Sequence, residues 1–577
     1  MINVLTPIRR KSSKTKVAVF DIEAKDWIKF KIAGHYDGAT YREFRTVKEL
    51  VDCLLSRQYR GWNQYAHFGG RYDFLFILDE LLDRAAYDIE ICDAGSRILF
   101  LKIRDTAGHL WKLVDSYSIL PASLDSITRA FGVEHKKKKF DIGRAKFDKR
   151  DMSIIRDYLK FDCIGLWESL EKFKQWGLNG GVLSLTLALQ ALYVFRSGFL
   201  SVNIPNLARD KEDFIRAGYF GGRVEIFKLY GEGLNYYDVN SLYPAMMLED
   251  MPVGNPLRTS RFQKGKIGFY KARVDYPLKI YAPNLPVKTE NKLYFPTGTL
   301  PGYYASCELE AAARRGAKIK IFDGCFFPKQ APIFRDYVKA TYRLKKNSEP
   351  GSMDYFLSKL LMNSLYGKFG QRRERSTIIS SMLLDAADEG LRPYLEQFGL
   401  YIKESESKAN FIIPSIASWI TAKARAFLYD GFLDIGERHI YYCDTDSIIT
   451  DRKLDTGEGL GEWKAEYENF KGVFLQPKMY ALKKDKEEVV KAKGYNNPNF
   501  SFSDFEYSLF HNDYKGLVQS RQRLTGYREG LRRFGKALNL ITMEKRFIGR
   551  YDKRKILKNF DTKPLTLDKS GHIIKAG

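Results

Sequence analysis

Three carboxylates set into apolar, strand-like runs constrain this chain more than anything else in its 577 residues. Asp238 ends LNYYDVN just ahead of SLYPAMM, whose apolar spacing predicts a helix start, so a carboxylate stands at the mouth of a strand-to-helix turn. Far along the chain, YYCDTDS sets Asp444 and Asp446 two apart between apolar runs, which fits a tight hairpin or one face of a strand. Two carboxylates about 5 Å apart at a partly buried site repel by roughly 3 kcal/mol at an effective dielectric of 20. A fold tolerates that only with a proton, a Lys or Arg partner, or a divalent cation, and oxygen-only ligands select a hard ion such as Mg2+ or Mn2+. Taken singly, each motif reads more simply as a solvated turn aspartate.

The segment SMDYFLSKLLMNSLYGKF shifts that balance. It predicts a long helix on which Lys359, Asn363, Tyr366 and Gly367 share one face, while Phe356, Leu357, Leu360, Leu361 and Leu365 largely occupy the other. A cation, an amide, a ring and a glycine on one exposed stripe can hold a triphosphate, a base and a closely approaching strand. The plain alternative is a solvated face with a C-terminal glycine cap. Lys345, upstream in YRLKKNSEPG, offers a second phosphate contact.

A further acidic set lies in the first third. In KVAVFDIEA, Asp21 and Glu23 project to one side of a strand, and Tyr158 and Asp162 share a helix face at i, i+4. Asp73 follows AHFGGRY between apolar segments. Each alone is ordinary surface acid; converging, they would form a two-ion hydrolytic site.

Composition narrows the classes. Lys and Arg number 95 against 70 Asp and Glu, a formal +25, which calls for a polyanionic partner: nucleic acid first, an anionic membrane surface second. Hydrophobic residues at 44% with only 19 prolines exclude wholesale disorder, and the length implies several packed units. No stretch approaches the roughly 20 apolar residues of a membrane helix and MINVLTPIRRKSSKTK lacks a signal-peptide run, so a cytosolic protein without a membrane partner is expected. The six cysteines form no CxxC pair, which argues against a disulfide framework or structural zinc. His67 has no metal-ligand partner at useful spacing, and a four-lysine run at Lys136 to Lys139 is usually a solvated loop.

The motifs together resemble the protein-primed family B DNA polymerases of phages and linear plasmids, over almost the whole chain. DVNSLYP (Asp238 to Pro244), KLLMNSLYG (Lys359 to Gly367) and YCDTDS (Tyr442 to Ser447) match that family's three polymerase motifs in order; YFGG (Tyr219 to Gly222), TAKAR (Thr421 to Arg425) and KMY (Lys478 to Tyr480) are shorter supporting matches. The resemblance implies a mixed α/β and α+β multidomain fold: a ribonuclease H-like 3′-5′ exonuclease over 1–178, then a right-hand polymerase of palm, fingers and thumb over 179–577. Two insertions mark the subgroup, about 255–335 and 371–413, with fingers about 336–370 and a thumb about 500–577.

By the same resemblance Asp238 and Asp446, with Val239, would hold two catalytic metals (Mg2+, replaceable by Mn2+), and Asp444 would stand beside them. Lys345 and Lys359 would neutralise a triphosphate. Tyr243 would exclude a 2′-hydroxyl, with Ser241, Leu242, Asn363, Tyr366 and Gly367 completing the nucleotide site. Tyr219, Gly221, Gly222, Thr421, Arg425, Lys478 and Tyr480 would hold DNA, and Ser116 and His67 would do so in the exonuclease. Asp21, Glu23, Asp73 and Asp162 match the exonuclease metal ligands, and Tyr158 and Lys139 its catalytic helpers. Three grip positions depart: Phe68 stands for the usual Asn, Ala24 for Thr, and Tyr117 for Leu. The implied partners are primer and template DNA, dNTPs and a priming protein, acting on a monomer. Two alternatives remain beside this reading: a primer-independent replicative polymerase of a mobile element, and a noncatalytic single-strand binder whose aromatics, 14% of residues, stack on bases.

Overall fold

The computed structural model describes residues 3–10, 15–289, 292–380, 391–495, 499–547, 549 and 551–573. The apolar run VAVF enters the interior as strand Val17–Lys25, with Val19 and Phe20 fully buried. Strand Asn63–Ala66 runs parallel to it, and Leu110–Asp115 runs parallel to that one; Lys29–Tyr36 and Arg97–Asp105 flank the trio antiparallel. Helix Lys149–Gln175 packs across this sheet. Asp148 caps it, accepting from the backbone N–H groups of Arg150 and Asp151. Its buried stripe of Ile155, Leu159, Cys163, Leu166, Leu170 and Phe173 recurs every three or four residues, as a helix on a sheet requires.

Strand Tyr87–Ala94 would end this sheet with an open row of backbone donors and acceptors. Instead Glu374–Ser380 pairs on it, Ile378 opposite Ile91, and Leu400–Glu406 and Leu391–Leu395 follow to make ten strands. The sequence reading assigns 371–413 to the second half alone; its described strands extend the sheet of the first third. Residues 381–390 lie outside the described part.

The second sheet is antiparallel, seven strands in the order Val224–Ile226, Ile440–Asp444, Ser447–Thr450, Tyr230–Val239, Trp463–Gln476, Met479–Lys484 and Glu487–Ala492. Helix Pro414–Ile435, with proline at its first turn, covers one face through Leu428, Phe432 and Ile435. Helices Arg335–Asn347 and Met353–Ser364 pack on each other; Ser352 caps the second, and Leu357, Leu361 and Leu365 are fully buried. The single long helix expected here breaks at Leu365 and resumes over Tyr366–Phe369.

The stretch 500–577, expected as one thumb, divides in two. Helix Tyr527–Phe534 inserts Tyr527 and Leu531 into the core of the first sheet. Beyond it the chain returns: buried Arg554 donates to Thr562 Oγ1 and to the Tyr281 carbonyl, and Thr566–Leu567 adds a parallel strand to the sheet formed by Gly268–Tyr276, Thr297–Ala305 and Lys318–Phe326. Leu159 is fully buried under the first sheet, so Leu159→Ala is expected to cost about 2–5 kcal/mol, read as a lowered melting transition.

Candidate active sites

Register brings Asp238 and the YCDTDS hairpin together. Asp238 pairs opposite Ser447 on one side and Lys464 on the other, and Asp444 also pairs opposite Ser447, which leaves Thr445 and Asp446 as the hairpin loop. Val239 N–H donates to the Asp446 carbonyl at 2.7 Å. Thr445 sits at φ 63°, in the left-handed region, and its N–H donates to the Arg223 carbonyl at 2.7 Å. A Cβ on Gly222 would stand 2.6 Å from Thr445 Oγ1, so the second glycine of YFGG makes room for this turn. The tight-hairpin alternative is the one the chain adopts.

The three acids are not equivalent. Lys478 Nζ meets both oxygens of Asp444, at 2.9 and 2.7 Å, and Tyr442 OH bridges from Lys478 N–H to the same carboxylate. Asp238 makes no such ion pair among the described residues: Lys464 only lowers it from a distance, and its Oδ1 is buried without a hydrogen-bond partner. Burial first, then Asp446, pushes its pKa from 3.8 up to about 7; burial and Asp444 push Asp446 upward as well. Two under-compensated carboxylates, offering only oxygen, fit a hard divalent cation.

Around this pair, Ser241 takes φ 56° at the turn into Leu242–Met246, and Leu242 is buried. Tyr243 stacks on Tyr366, ring centroids 4.5 Å apart. Lys359, Asn363 and Gly367 are exposed, and among the described residues a Cβ on Gly367 would meet nothing within 4 Å. Burial lowers the Lys345 pKa, and Lys359 and Lys464 lower it further, so three ammonium groups crowd one region. Lys464, paired with Glu466 at 2.7 Å, went unnoticed in the sequence; the signal was its place on the strand beside Asp238.

In the first third, Asp21, Glu23 and Asp162 bring one oxygen each within 4.8 Å of one another, and Asp73 accepts from Ile22 N–H at 2.9 Å. Burial, then Asp162, pushes Asp21 up to about 7; burial, then Asp21, raises Glu23 and Asp73 well above the usual range. Asp162 Oδ1 is buried and unpartnered among the described residues. The expected lysine is displaced. Lys137, not Lys139, pairs with Asp162, its Nζ 4.2 Å from the Tyr158 ring centroid, while Lys139 stays exposed along the adjoining groove. Asp115, missed in the sequence although it closes the apolar strand LWKLVD, is fully buried; it caps Tyr117 N–H, faces Arg97 at 3.6 Å, and burial lifts it to about 6.

Several expected DNA contacts turn inward. Thr421 donates to the Ser418 carbonyl, and buried Arg425 is spent on Glu308 at 2.8 Å and on the Phe220 and Gly221 carbonyls. Arg425 thereby braces the YFGG turn from a helix that is buried nearly all round. Tyr480 packs on Tyr442, and Tyr219 is half-buried, its hydroxyl where a Cβ on Gly370 would fall. Ser116 is buried against the Ala66 carbonyl and His67, whose other ring nitrogen meets the Ala122 carbonyl; burial holds this imidazole down at about 4, hence neutral. Of the departing grip positions, Ala24 is buried, and Phe68 is exposed at φ 64°, edge-on to Tyr117 at 4.8 Å.

A ribonuclease H-like exonuclease fold joined to a right-hand polymerase fold is what these sheets make. The fold is that of phi29 DNA polymerase, matched in its complex with primer-template DNA and incoming nucleotides at a TM-score of 0.70, with 20% identity over 93% of this chain and 99% of that one. The family model "DNA polymerase type B, organellar and viral" matches residues 145–392. A probable DNA polymerase of Ascobolus immersus is 30% identical over 533 residues, 78% of this chain and 44% of that protein. The DNA-directed DNA polymerase of Enterobacteria phage PRD1 is 26% identical, with 82% and 84% covered. The chain spans about half the length of the fungal relatives it matches, 44% and 52% for two of them. The chain is thus similar to DNA polymerases of type B, organellar and viral, in the part that the family model matches, and to fungal and phage DNA polymerases over most of its length. Among the described residues no helix is long and apolar enough to cross a membrane.

Asp238, raised from 3.8 to about 7, keeps a proton in the folded state that the unfolded chain has already lost, so it subtracts stability progressively as pH rises through that window. In chelator-containing buffer, Asp238→Asn is therefore expected to melt higher than the parent at pH 8, with the gap closing below about pH 4. Melting curves across pH read this directly.

Proposed function

We propose that this chain is a DNA-templated DNA polymerase that extends a primer 3′-hydroxyl with dNTPs, and that its first third is a 3′-5′ exonuclease. The observation that carries the reading is the Asp238–Asp446 pair: Lys478 forms an ion pair with Asp444, while among the described residues Asp238 and Asp446 make none and burial keeps both raised, beside three lysines. An anion-binding groove has no use for such acids unless a cation joins them.

Two Mg2+ ions, with Mn2+ as substitute, fit the Asp238, Asp446 and Val239 backbone set, and again the Asp21, Glu23, Asp73 and Asp162 set. When bound they supply the charge neutralisation that phosphoryl transfer requires. The protein's own groups do the rest. Lys359 and Lys345 draw in the triphosphate, and Tyr243 with Tyr366 forms the floor against which a deoxyribose is selected. The 3′-hydroxyl oxygen bonds to the α-phosphorus as its proton passes to water, the bond from that phosphorus to the β-phosphate oxygen breaks, and pyrophosphate leaves. In the first third, water attacks the terminal phosphodiester, the bond to the 3′-oxygen breaks, and that oxygen takes up a proton. Such chemistry is mostly positioning and electrostatics, so losing one ligand is severe.

The domain assignment follows the resemblance: exonuclease to about residue 178, fingers at 336–370, insertions at 255–335 and 371–413. The thumb is restricted to about 500–547. The described parts of both insertions are built into sheets, 371–413 into that of the first third; initiation on a priming protein, whose hydroxyl would replace the primer's, follows from the resemblance alone.

Asp446→Asn is expected to reduce nucleotide incorporation by at least ~100-fold and spare hydrolysis of single-stranded 3′ ends; Asp21→Ala does the reverse. Incorporation by a verified Asp446→Asn protein would discard the assignment. Chelation separates the single-strand binder, which would keep its DNA. Labelled dNTP supplied with template and either an oligonucleotide or a candidate priming protein distinguishes the modes of initiation: label on protein supports the priming reading, and label on unprimed DNA overturns it.

A further inference from the structure

Four identical lysines, Lys136 to Lys139, compete for one place beside Asp162, and the structure shows what selects among them. The loop carrying them leaves helix Leu124–Ala130 and is held along its length by the helix that bears Asp162. Lys172 Nζ binds the carbonyls of Phe131 and Gly132, each at 2.9 Å. Glu168 grips His135 with both oxygens, Oε1 on Nδ1 at 2.7 Å and Oε2 accepting from the backbone N–H at 3.1 Å. Gly165 lets the loop close in: a Cβ there would stand 2.1 Å from the His135 carbonyl. Lys137 N–H then donates to Thr128 Oγ1 at 3.2 Å, and its ammonium reaches Asp162 and the Tyr158 ring.

Tyr158, Asp162, Gly165, Glu168 and Lys172 follow one another at intervals of three or four and so lie along one stripe of helix Lys149–Gln175. One stripe thus carries both the acid and the fastening that brings its lysine. Lys138, next along the loop, is turned instead to Asp157 and the Phe161 ring. A loop slipped by one residue would present the wrong ammonium.

We propose that Glu168, acting through His135, is a positioning residue of the exonuclease centre: it fixes the loop so that Lys137 alone meets Asp162 and Tyr158. The proposal rests on the hydrolytic reading of the first third. Glu168 touches no reacting group. Its two oxygens are both spent on His135, and its effect on hydrolysis passes entirely through Lys137.

That dependence is testable by a double-mutant cycle in the full chain, scored as single-turnover hydrolysis of a 3′-labelled single-stranded oligonucleotide with Mg2+. Lys137→Ala is expected to slow hydrolysis roughly 100-fold and Glu168→Ala roughly 10-fold or more. The double variant should be no slower than Lys137→Ala alone, because Glu168 has nothing left to position. Nucleotide incorporation, carried by the other centre, reports on folding in every variant. Glu168→Gln, which keeps one acceptor for His135, should recover part of the loss, and it carries the same cycle if Glu168→Ala fails to fold. Multiplying losses in the double variant, or a Glu168 variant as fast as the parent, would overturn the proposal. Hydrolysis that survives Asp21→Ala would instead overturn the exonuclease reading beneath it.

Discussion

Crowding of like charges is the constraint on which both acidic centres depend. Carboxylates about 5 Å apart cost roughly 3 kcal/mol per pair at an effective dielectric of 20, a large share of a net stability of about 5–15 kcal/mol. Both centres meet that cost in the same way. One lysine is set on one acid, Lys478 on Asp444 and Lys137 on Asp162, and the remaining acids are left short. A lysine on every acid would make a stable ion-pair network with no negative charge left to hold a cation. None at all would raise every carboxylate until it carried a proton. The intermediate solution leaves Asp238 Oδ1 and Asp162 Oδ1 buried and unpartnered among the described residues, and both acids raised.

The acids themselves were legible in the sequence because their spacing is set by local geometry. Period two puts Asp21 and Glu23 on one side of a strand, i, i+4 aligns Tyr158 with Asp162, and a two-residue loop fits between Asp444 and Ser447. Residues whose role depends on which way a helix faces were not. TAKAR lies in Pro414–Ile435, which is buried nearly all round, so a short motif could not show that Thr421 and Arg425 point inward. The choice of Lys137 over Lys139 was equally hidden, since four identical neighbours differ only in what grips the loop. Strand pairing at long separation was hidden as well: nothing in ERSTIIS announces that it will meet Tyr87–Ala94, almost three hundred positions earlier.

That pairing bears on how the two centres relate. The chain leaves the helix of Lys359, passes Phe369, and enters the hairpin that completes the first sheet. It returns to Ile413, whose N–H donates to the Phe369 carbonyl at 2.9 Å, before entering the helix under the second sheet. Buried Arg373 ties off the excursion, donating to Glu212 at 2.8 Å and to the carbonyls of Ser407 and Ile412. The two acidic centres are therefore fastened by main-chain hydrogen bonds and a closed neck, and not by a linker. In the proposed chemistry this rigidity decides what moves: with the centres fixed, an end to be corrected has to unpair and travel between them, and the surfaces it crosses set how often it does so.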